Sequence, residues 1–376
     1  MQHGLDRLVM LAAGGTGGHL FPAQALAEEL MARGFRIHLM TDERVRDYGK
    51  NFPAQDVHIV PSATLTFSDP LRLPLRAIKL IQGYRISKNL LRRFAPAAVA
   101  GFGGYPSLPP VLAAVHQNVP TLIHEQNAVL GRANGFLAKS VNAVATSFQN
   151  VLHVPDAARS KVKFTGNPVR SVVMAQARAP YPKLNDKLAI KLLVFGGSQG
   201  ARIFADIMPR TLALLPLALR KRLCVTQQCR EEDLARTAQA YAASGITAEL
   251  SPFFMDMPQR MAASHLVICR SGASSISELG VIGRPAVLVP LPHALDNDQL
   301  KNAESFASAG AGFVQPQNTI VPQDFANLLT GLLSRPQSLK DAAEAALRHG
   351  QPQAAQHLAD LLQSIMVNPT LTALET

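Results

Sequence analysis

A chain of 376 residues exceeds what one ordinary hydrophobic core organises and suits two domains. With 47% hydrophobic residues, 25 glycines and 26 prolines it reads as globular and rich in turns, which sets aside disorder and fibrous repeats. A net charge of +11 draws it toward phosphates, nucleic acid or anionic lipid without choosing among them.

Taken in chain order, residues 8–13 form an apolar strand that runs into Gly14-Gly15-Thr16-Gly17-Gly18-His19 and then a helix. The strand is too short and too glycine-bounded for a secretory signal, and no apolar run reaches the roughly eighteen residues that cross a bilayer, so the chain is expected to stay in the cytoplasm. A second strand follows at 36–40. Residues 71–94 then carry Arg72, Arg76, Lys79, Arg85, Lys88, Arg92 and Arg93 without an acidic residue. A helix starting near Pro74 places Ala77, Leu80, Ile81, Tyr84 and Leu91 in one core-facing stripe. Ile86 and Leu90 then stand on another face between Lys79 and Arg93, a pattern that suits an anionic membrane surface or, more blandly, a solvated or RNA-binding helix.

Strands at 98–101 and 121–124 lead into Gly101-Phe102-Gly103-Gly104-Tyr105-Pro106-Ser107 and His124-Glu125-Gln126-Asn127. Both turns share the carboxyl edge of the sheet with the first glycine loop, the edge where open α/β sheets bind ligands. His19, His124 and Glu125 are therefore the ionisable groups expected near a ligand. Residues 165–187, with three prolines and little periodicity, read as the linker.

The second half echoes the first. A strand at 192–195 enters Gly196-Gly197-Ser198-Gln199-Gly200, and strands at 223–226, 266–269 and 286–290 follow. The sequence Cys269-Arg270-Ser271-Gly272-Ala273-Ser274-Ser275-Ile276-Ser277-Glu278 again lies between strand and helix. Its small residues expose backbone N–H groups to a phosphate, and Glu278 can accept from a ribose diol. Ser275 and Glu278 also fit a capping box, which needs no ligand. Asp296-Asn297-Asp298 fits a sugar-nucleotide metal triplet, but helix N-termini neutralise a diphosphate without an ion, so no metal or cofactor is expected. Beyond Asp324 the pattern is helical, strongest at 342–347 and 354–365, before a frayed tail of ten residues. Cys224, Cys229 and Cys269 form no disulfide set or metal pair and read as small buried residues of a reducing compartment.

Strands alternating with helices imply parallel sheets covered on both faces. The glycine turns suit a nucleotide diphosphate. The first lacks the Lys-[Ser/Thr] ending of a P-loop, and Leu20 stands where a dinucleotide fingerprint has its third glycine. An NAD-type protein and a nucleic-acid binder stay as competing classes, the latter without the aromatic interleaving of stacking surfaces. The bland alternative is that both are simply tight strand-to-helix turns.

Together these motifs, with Phe21-Pro22-Ala23, Gly166-Asn167-Pro168-Val169-Arg170 and the stretch from His293 to Gln299, resemble the MurG family over nearly the whole chain. The resemblance implies an α/β GT-B fold, two Rossmann-like doubly wound parallel-sheet domains facing across a cleft. Its expected bounds are an acceptor- and membrane-facing domain at 1–164, a linker at 165–187, a UDP-sugar domain at 188–348, and at 349–376 a helix and tail, the helix returning to the N-terminal domain. It further implies inverting transfer of N-acetylglucosamine from UDP-N-acetylglucosamine to the C4 hydroxyl of lipid I, giving lipid II, at the cytoplasmic face of the inner membrane. Other cell-wall and division proteins are expected partners, nucleic acid is not.

By motif, Ser198 and the run Ala273, Ser274, Ser275, Ile276 and Ser277 would hold the diphosphate, Glu278 the ribose, and Met255 and Arg170 the uracil. Asn127 and Gln299 would touch the sugar, and Thr16, Gly17 and Gly18 the donor. Gly15, Gly103, Gly104 and Tyr105 would meet the acceptor diphosphate, and Lys79, Ile86, Leu90 and Arg93 the membrane. His19 is the expected general base, since an imidazole titrates near working pH, with Glu125 as the alternative. Two departures from the family are the Asp-Asn-Asp-Gln form of the Gln299 motif and the basic or aliphatic residues replacing aromatics in the membrane patch.

Overall fold

A computed structural model describes residues 7–45, 52–64, 73–185, 187–197, 200–292 and 295–367. Arg72, Ser198, His293 and the tail beyond Val367 lie outside the described residues. The chain divides into two compact units, Met1–Arg170 with Gln353–Thr376, and Ser171–Pro352.

The first unit holds β1 (Leu8–Ala12), α1 (Gly17–Ala32), β2 (Arg36–Thr41), β3 (Asp56–Ile59), α2 (Leu73–Phe94), β4 (Ala98–Gly101), α3 (Gly104–His116), β5 (Thr121–Glu125), α4 (Arg132–Leu137), β6 (Ala143–Thr146) and β7 (Val162–Phe164). The sheet order is β3-β2-β1-β4-β5-β6-β7, with neighbouring strands parallel. Every residue of β1 is buried, as an inner strand covered on both faces requires. Ala12 pairs with Gly101, so the chain leaves β1 and β4 side by side where the strand order reverses.

The second unit repeats the plan: α5 (Ser171–Met174), β8 (Ile190–Phe195), α6 (Arg202–Ala213), α7 (Leu217–Arg220), β9 (Leu223–Gln228), α8 (Leu234–Ala243), β10 (Thr247–Ser251), α9 (Met257–Ala263), β11 (Leu266–Cys269), α10 (Ala273–Ile282), β12 (Ala286–Leu288), α11 (Asp298–Ser308), β13 (Gly312–Val314), α12 (Pro322–Leu333) and α13 (Pro336–His349). Its parallel sheet runs β10-β9-β8-β11-β12-β13, with the reversal between β8 and β11. The internal echo is thus one topology built twice. Buried Arg284 donates to the carbonyl oxygens of Ala179 (3.0 Å), Pro180 (2.8 Å) and Gly283 (2.7 Å), which fastens the start of this unit to its body. Burial lowers that guanidinium's pKa to about 10. The last helix, α14 (Ala354–Val367), belongs to the first unit, where Leu358, Ala359, Leu362, Ile365 and Met366 join the core of β1, β2 and α1.

Two expectations need correction. Cys224 is exposed, because β9 alternates there between a covered and an open face; Cys229 and Cys269 are buried. In α2 the buried residues are Gly83, Ser87 and Leu91, whereas Ala77 and Ile81 are exposed. A Cβ at Gly83 would meet the Pro61 carbonyl oxygen at 2.1 Å, so the helix docks through its smallest side chains and turns Ile81 outward. Leu90, expected on the outer face, packs against the core instead.

Candidate functional site

In the first unit the site begins where β1, β4 and β5 end. Gly14 abuts Pro106, since a Cβ there would lie 2.9 Å from the proline's, and this joins the loops after β1 and β4. Gly15, Gly103 and Gly104 hold φ values of +84°, +80° and +68°, which a side chain would strain. Helix α1 starts after Thr16 and α3 after Gly103, neither with a side-chain cap, so both direct backbone N–H groups and partial positive charge to the same edge. Thr16 is exposed; Gly17, Gly18 and Tyr105 are half-buried.

His19 lies on the first turn of α1, and its Nδ1 is 3.0 Å from Gln126 Oε1. The Gln126 amide reaches Phe102 O, His124 Nδ1 and His124 O at 3.0, 3.0 and 3.1 Å. Fully buried His124 donates from Nε2 to Gly166 O, and desolvation lowers its pKa to about 4. Glu125 is buried as well. Its Oε1 accepts from the Asn127 backbone (3.0 Å) and side chain (3.3 Å), and its Oε2 from Gly131 N–H (2.9 Å) and Asn134 Nδ2 (2.8 Å). Four donors occupy a carboxylate's usual positions, so the side chain ties Asn127, Gly131 and Asn134 to the end of β5. Arg170 stacks on Phe21, its guanidinium carbon 4.0 Å from the ring centre.

The second unit offers the matching edge after β8 and β11. Gly197 and Gly200 hold positive φ, and a Cβ on Gly196 would fall 2.2 Å from Ala201 N, so only glycine closes this turn. Helix α6 starts after Ala201 and α10 after Gly272, again without side-chain caps. Gly272 as N-cap puts Ser275 and Glu278 inside α10, which overturns the capping-box reading of that pair. Ala273 and Ile276 face the core, so Ser274, Ser275 and Glu278 share the opposite, half-buried side. The Ser274 hydroxyl is buried without a hydrogen-bond partner, an orphan that a ligand oxygen would satisfy. Ser277 spends its hydroxyl on Ala273 O at 2.9 Å. Burial first, and then the Glu278 charge, push the Cys269 thiol up.

Gln299 is anchored twice beside this helix start. Its carbonyl accepts from Ser271 Oγ at 2.7 Å, and its side-chain oxygen from Leu291 N–H at 3.0 Å, leaving the amide NH2 as the end to offer a ligand. Asp298, the first residue of α11, accepts from the next residue's N–H, that of Gln299, at 2.7 Å. Met255 is 89% exposed in the turn before α9. Arg270, not anticipated as functional, donates to Val289 O and Pro290 O, both at 3.0 Å, and to Gln317, pinning the loop after β12 to the end of β11. Its signal was a cation inside an otherwise small and apolar motif.

Residues 9–146 match the glycosyltransferase family 28 N-terminal domain, and residues 191–358 match its C-terminal domain. A UDP-N-acetylglucosamine–N-acetylmuramyl-(pentapeptide) pyrophosphoryl-undecaprenol N-acetylglucosamine transferase of Mesorhizobium japonicum is 51% identical over 365 residues, 97% of each chain. The Brucella abortus protein of that name is 49% identical over 97% of this chain and 96% of its own. The chain belongs to the MurG family. The crystal structure of Acinetobacter baumannii MurG agrees with a TM-score of 0.77 at 30% identity, covering 95% of this chain and 99% of that one. The chain is therefore a GT-B glycosyltransferase, and its two uncapped helix pairs are elements of a MurG-family fold. Among the described residues no helix is long and apolar enough to cross a membrane.

Proposed function

We propose that the protein transfers N-acetylglucosamine, with inversion, from UDP-N-acetylglucosamine to the C4 hydroxyl of N-acetylmuramyl-(pentapeptide)-pyrophosphoryl-undecaprenol, the step that makes lipid II from lipid I. The observation that carries it is 47–51% identity, along nearly the whole chain, to transferases bearing that name. The second unit binds the donor. Helix starts at Ala201 and Gly272 direct backbone donors to the diphosphate, with Ser274 and Ser275 beside them. Glu278 takes the ribose hydroxyls, Gln299 the sugar, and Met255 offers its thioether to the uracil. As the anomeric bond breaks, negative charge grows on the departing UDP, and loss of one well-placed donor to it costs about 3 kcal/mol of barrier.

The first unit handles the acceptor. Gly15, Gly103 and Gly104, with the α1 and α3 helix starts, form a main-chain cradle for its pyrophosphate, and Asn127, ordered by Glu125, contacts the sugar. His19 takes the proton from the attacking hydroxyl. The outer face of α2 rests on an anionic membrane surface, where the polyprenyl tail of the acceptor resides.

The test is transfer of labelled N-acetylglucosamine to a lipid I analogue. His19→Ala should lower kcat by roughly 10²-fold or more, the range of a general base. Near-normal turnover would end that assignment. Glu278→Ala should raise the donor KM while leaving donor-free melting unchanged; equal loss of stability without the donor would make Glu278 a structural residue.

A further inference from the structure

Gln126 settles more than its own place. Its side-chain nitrogen end lies 3.0 Å from Phe102 O and 3.1 Å from His124 O. Carbonyl oxygens only accept, so that end must be the NH2 group, and the end 3.0 Å from His19 Nδ1 must be the amide oxygen. An amide oxygen has no hydrogen to give. His19 Nδ1 therefore carries the proton, and a neutral imidazole with Nδ1–H keeps Nε2 as a lone pair. His124 is held the opposite way. Its Nδ1 accepts from Gln126 at 3.0 Å, so its hydrogen sits on Nε2 and goes to Gly166 O at 3.1 Å. Complete burial keeps that second ring neutral, so its Nδ1 stays an acceptor. The line of bonds Gly166–His124–Gln126–His19, braced by Phe102, spans the turns after β7, β5 and β4 before reaching α1.

We propose that Gln126 is a positioning residue for the transfer: its amide, oriented by Phe102 and His124, holds His19 as the Nδ1–H tautomer and so keeps Nε2 as the atom that receives the acceptor hydroxyl's proton. This rests on His19 being the base. Without the amide, the ring can rotate and its hydrogen redistribute between the two nitrogens, so part of the population presents a donor where an acceptor is needed. The same logic governs other imidazole bases, whose wrong tautomer costs about 10⁴ in rate. Gln126→Met removes a tautomer preference rather than enforcing the wrong tautomer, so a smaller loss is expected here.

The direct readout is the nitrogen-15 spectrum of histidine-labelled full-length protein above the histidine titration range, with His19→Gln and His124→Gln giving the assignments. His19 should show a protonated Nδ1 and a bare Nε2, and His124 the reverse; a wild-type His19 protonated on Nε2 overturns the proposal whatever the variants do. Gln126→Met, similar in length but without an acceptor, should move His19 toward the Nε2–H form and lower kcat roughly 10- to 100-fold, part of a general base's full contribution, with the donor KM changed less than about twofold. Gln126→Glu, held protonated by the acceptors around it, gives its O–H to Phe102 O, His124 O or His124 Nδ1, keeps a carbonyl oxygen toward His19 Nδ1, and should keep the wild-type tautomer and more turnover than the methionine variant. Unchanged tautomer and kcat in Gln126→Met would sink it. If the spectra are as expected but His19→Ala turns over normally, the base assignment fails and this role with it, while the amide's hold on the ring stands.

Discussion

At the scale of single residues, His124 links the site to stability. Its ring is completely buried, its Nε2–H is given to Gly166, and its Nδ1 is filled by Gln126. Protonation would place an uncompensated charge among these groups, which is why its pKa falls to about 4. The unfolded chain binds this proton near pH 6.5 and the folded one does not, so stability is complete above that value and is lost as pH falls toward 4. One buried group shifted that far contributes about 3 kcal/mol to the loss. His38, His58, His265 and His349 are lowered by burial and add in the same direction, so the contribution has to be isolated by comparison. Urea unfolding of wild type and His124→Asn between about pH 7 and pH 4 should give a shallower pH dependence in the variant. Equal slopes would mean that the folded protein can charge this ring. The sequence placed His19, His124 and Glu125 on one sheet edge because strand ends after small residues are easy to read. It could not show that Glu125 is saturated by donors, because Gly131 and Asn134 reach it only after the chain has turned back through α4.

At the scale of elements, inner strands were legible and edge strands were not. β1, β4, β5, β8, β11 and β12 are buried at nearly every position, whereas β3, β7, β10 and β13 lie at sheet edges, carry few buried residues and leave no clear period. β6, Ala-Val-Ala-Thr, is inner but too short and small to declare itself. Helix α2 was legible as a helix but not in its rotation. Docking through Gly83 and Ser87 leaves Leu75, Ile78 and Ile81 exposed at 64%, 50% and 51%, on a helix that also exposes Lys79, Arg85, Arg92 and Arg93. This makes a broader apolar face among cations than the sequence suggested. Ile78→Ser combined with Ile81→Ser should weaken sedimentation with phosphatidylglycerol vesicles while leaving the melting temperature unchanged, since neither side chain is in the core. Lys79→Glu with Arg93→Glu removes two cations and adds two anions, so it should cost at least about 2 kcal/mol, about 30-fold or more in partitioning, and added salt should shrink the difference. Full vesicle binding by both double variants would remove α2 from the membrane surface.

At the scale of the whole molecule, the chain builds one topology twice and then returns to the first copy with its last helix. The repeated strand–glycine turn–helix pattern made two Rossmann-like domains readable, because tight turns impose backbone requirements that only glycine meets at Gly196 and Gly103. The destination of α14 is set by packing. Leu358, Leu362 and Ile365 recur on one face, which any apolar surface of either unit could cover, yet they join Leu26, Leu30 and Ile37, and Arg33 donates to Asp360 and Gln363, both at 2.5 Å. The helix furthest in sequence from α1 is therefore part of its core. Removing a single buried Leu or Ile side chain costs about 2–5 kcal/mol, and a domain's whole stability is of order 5–15 kcal/mol. A chain ended after Pro352 would lose several at once and uncover the β1–β2 core. Hydrogen exchange should then show protection collapsing in β1, β2 and α1 while β8 and β11, whose buried residues form a separate core cluster, keep theirs. The same truncated protein should still bind UDP by calorimetry, because the helix starts at Ala201 and Gly272 lie in the intact unit, and should have lost transfer to the lipid acceptor. Retained protection in β1 would mean that the first unit closes its core without its terminal helix.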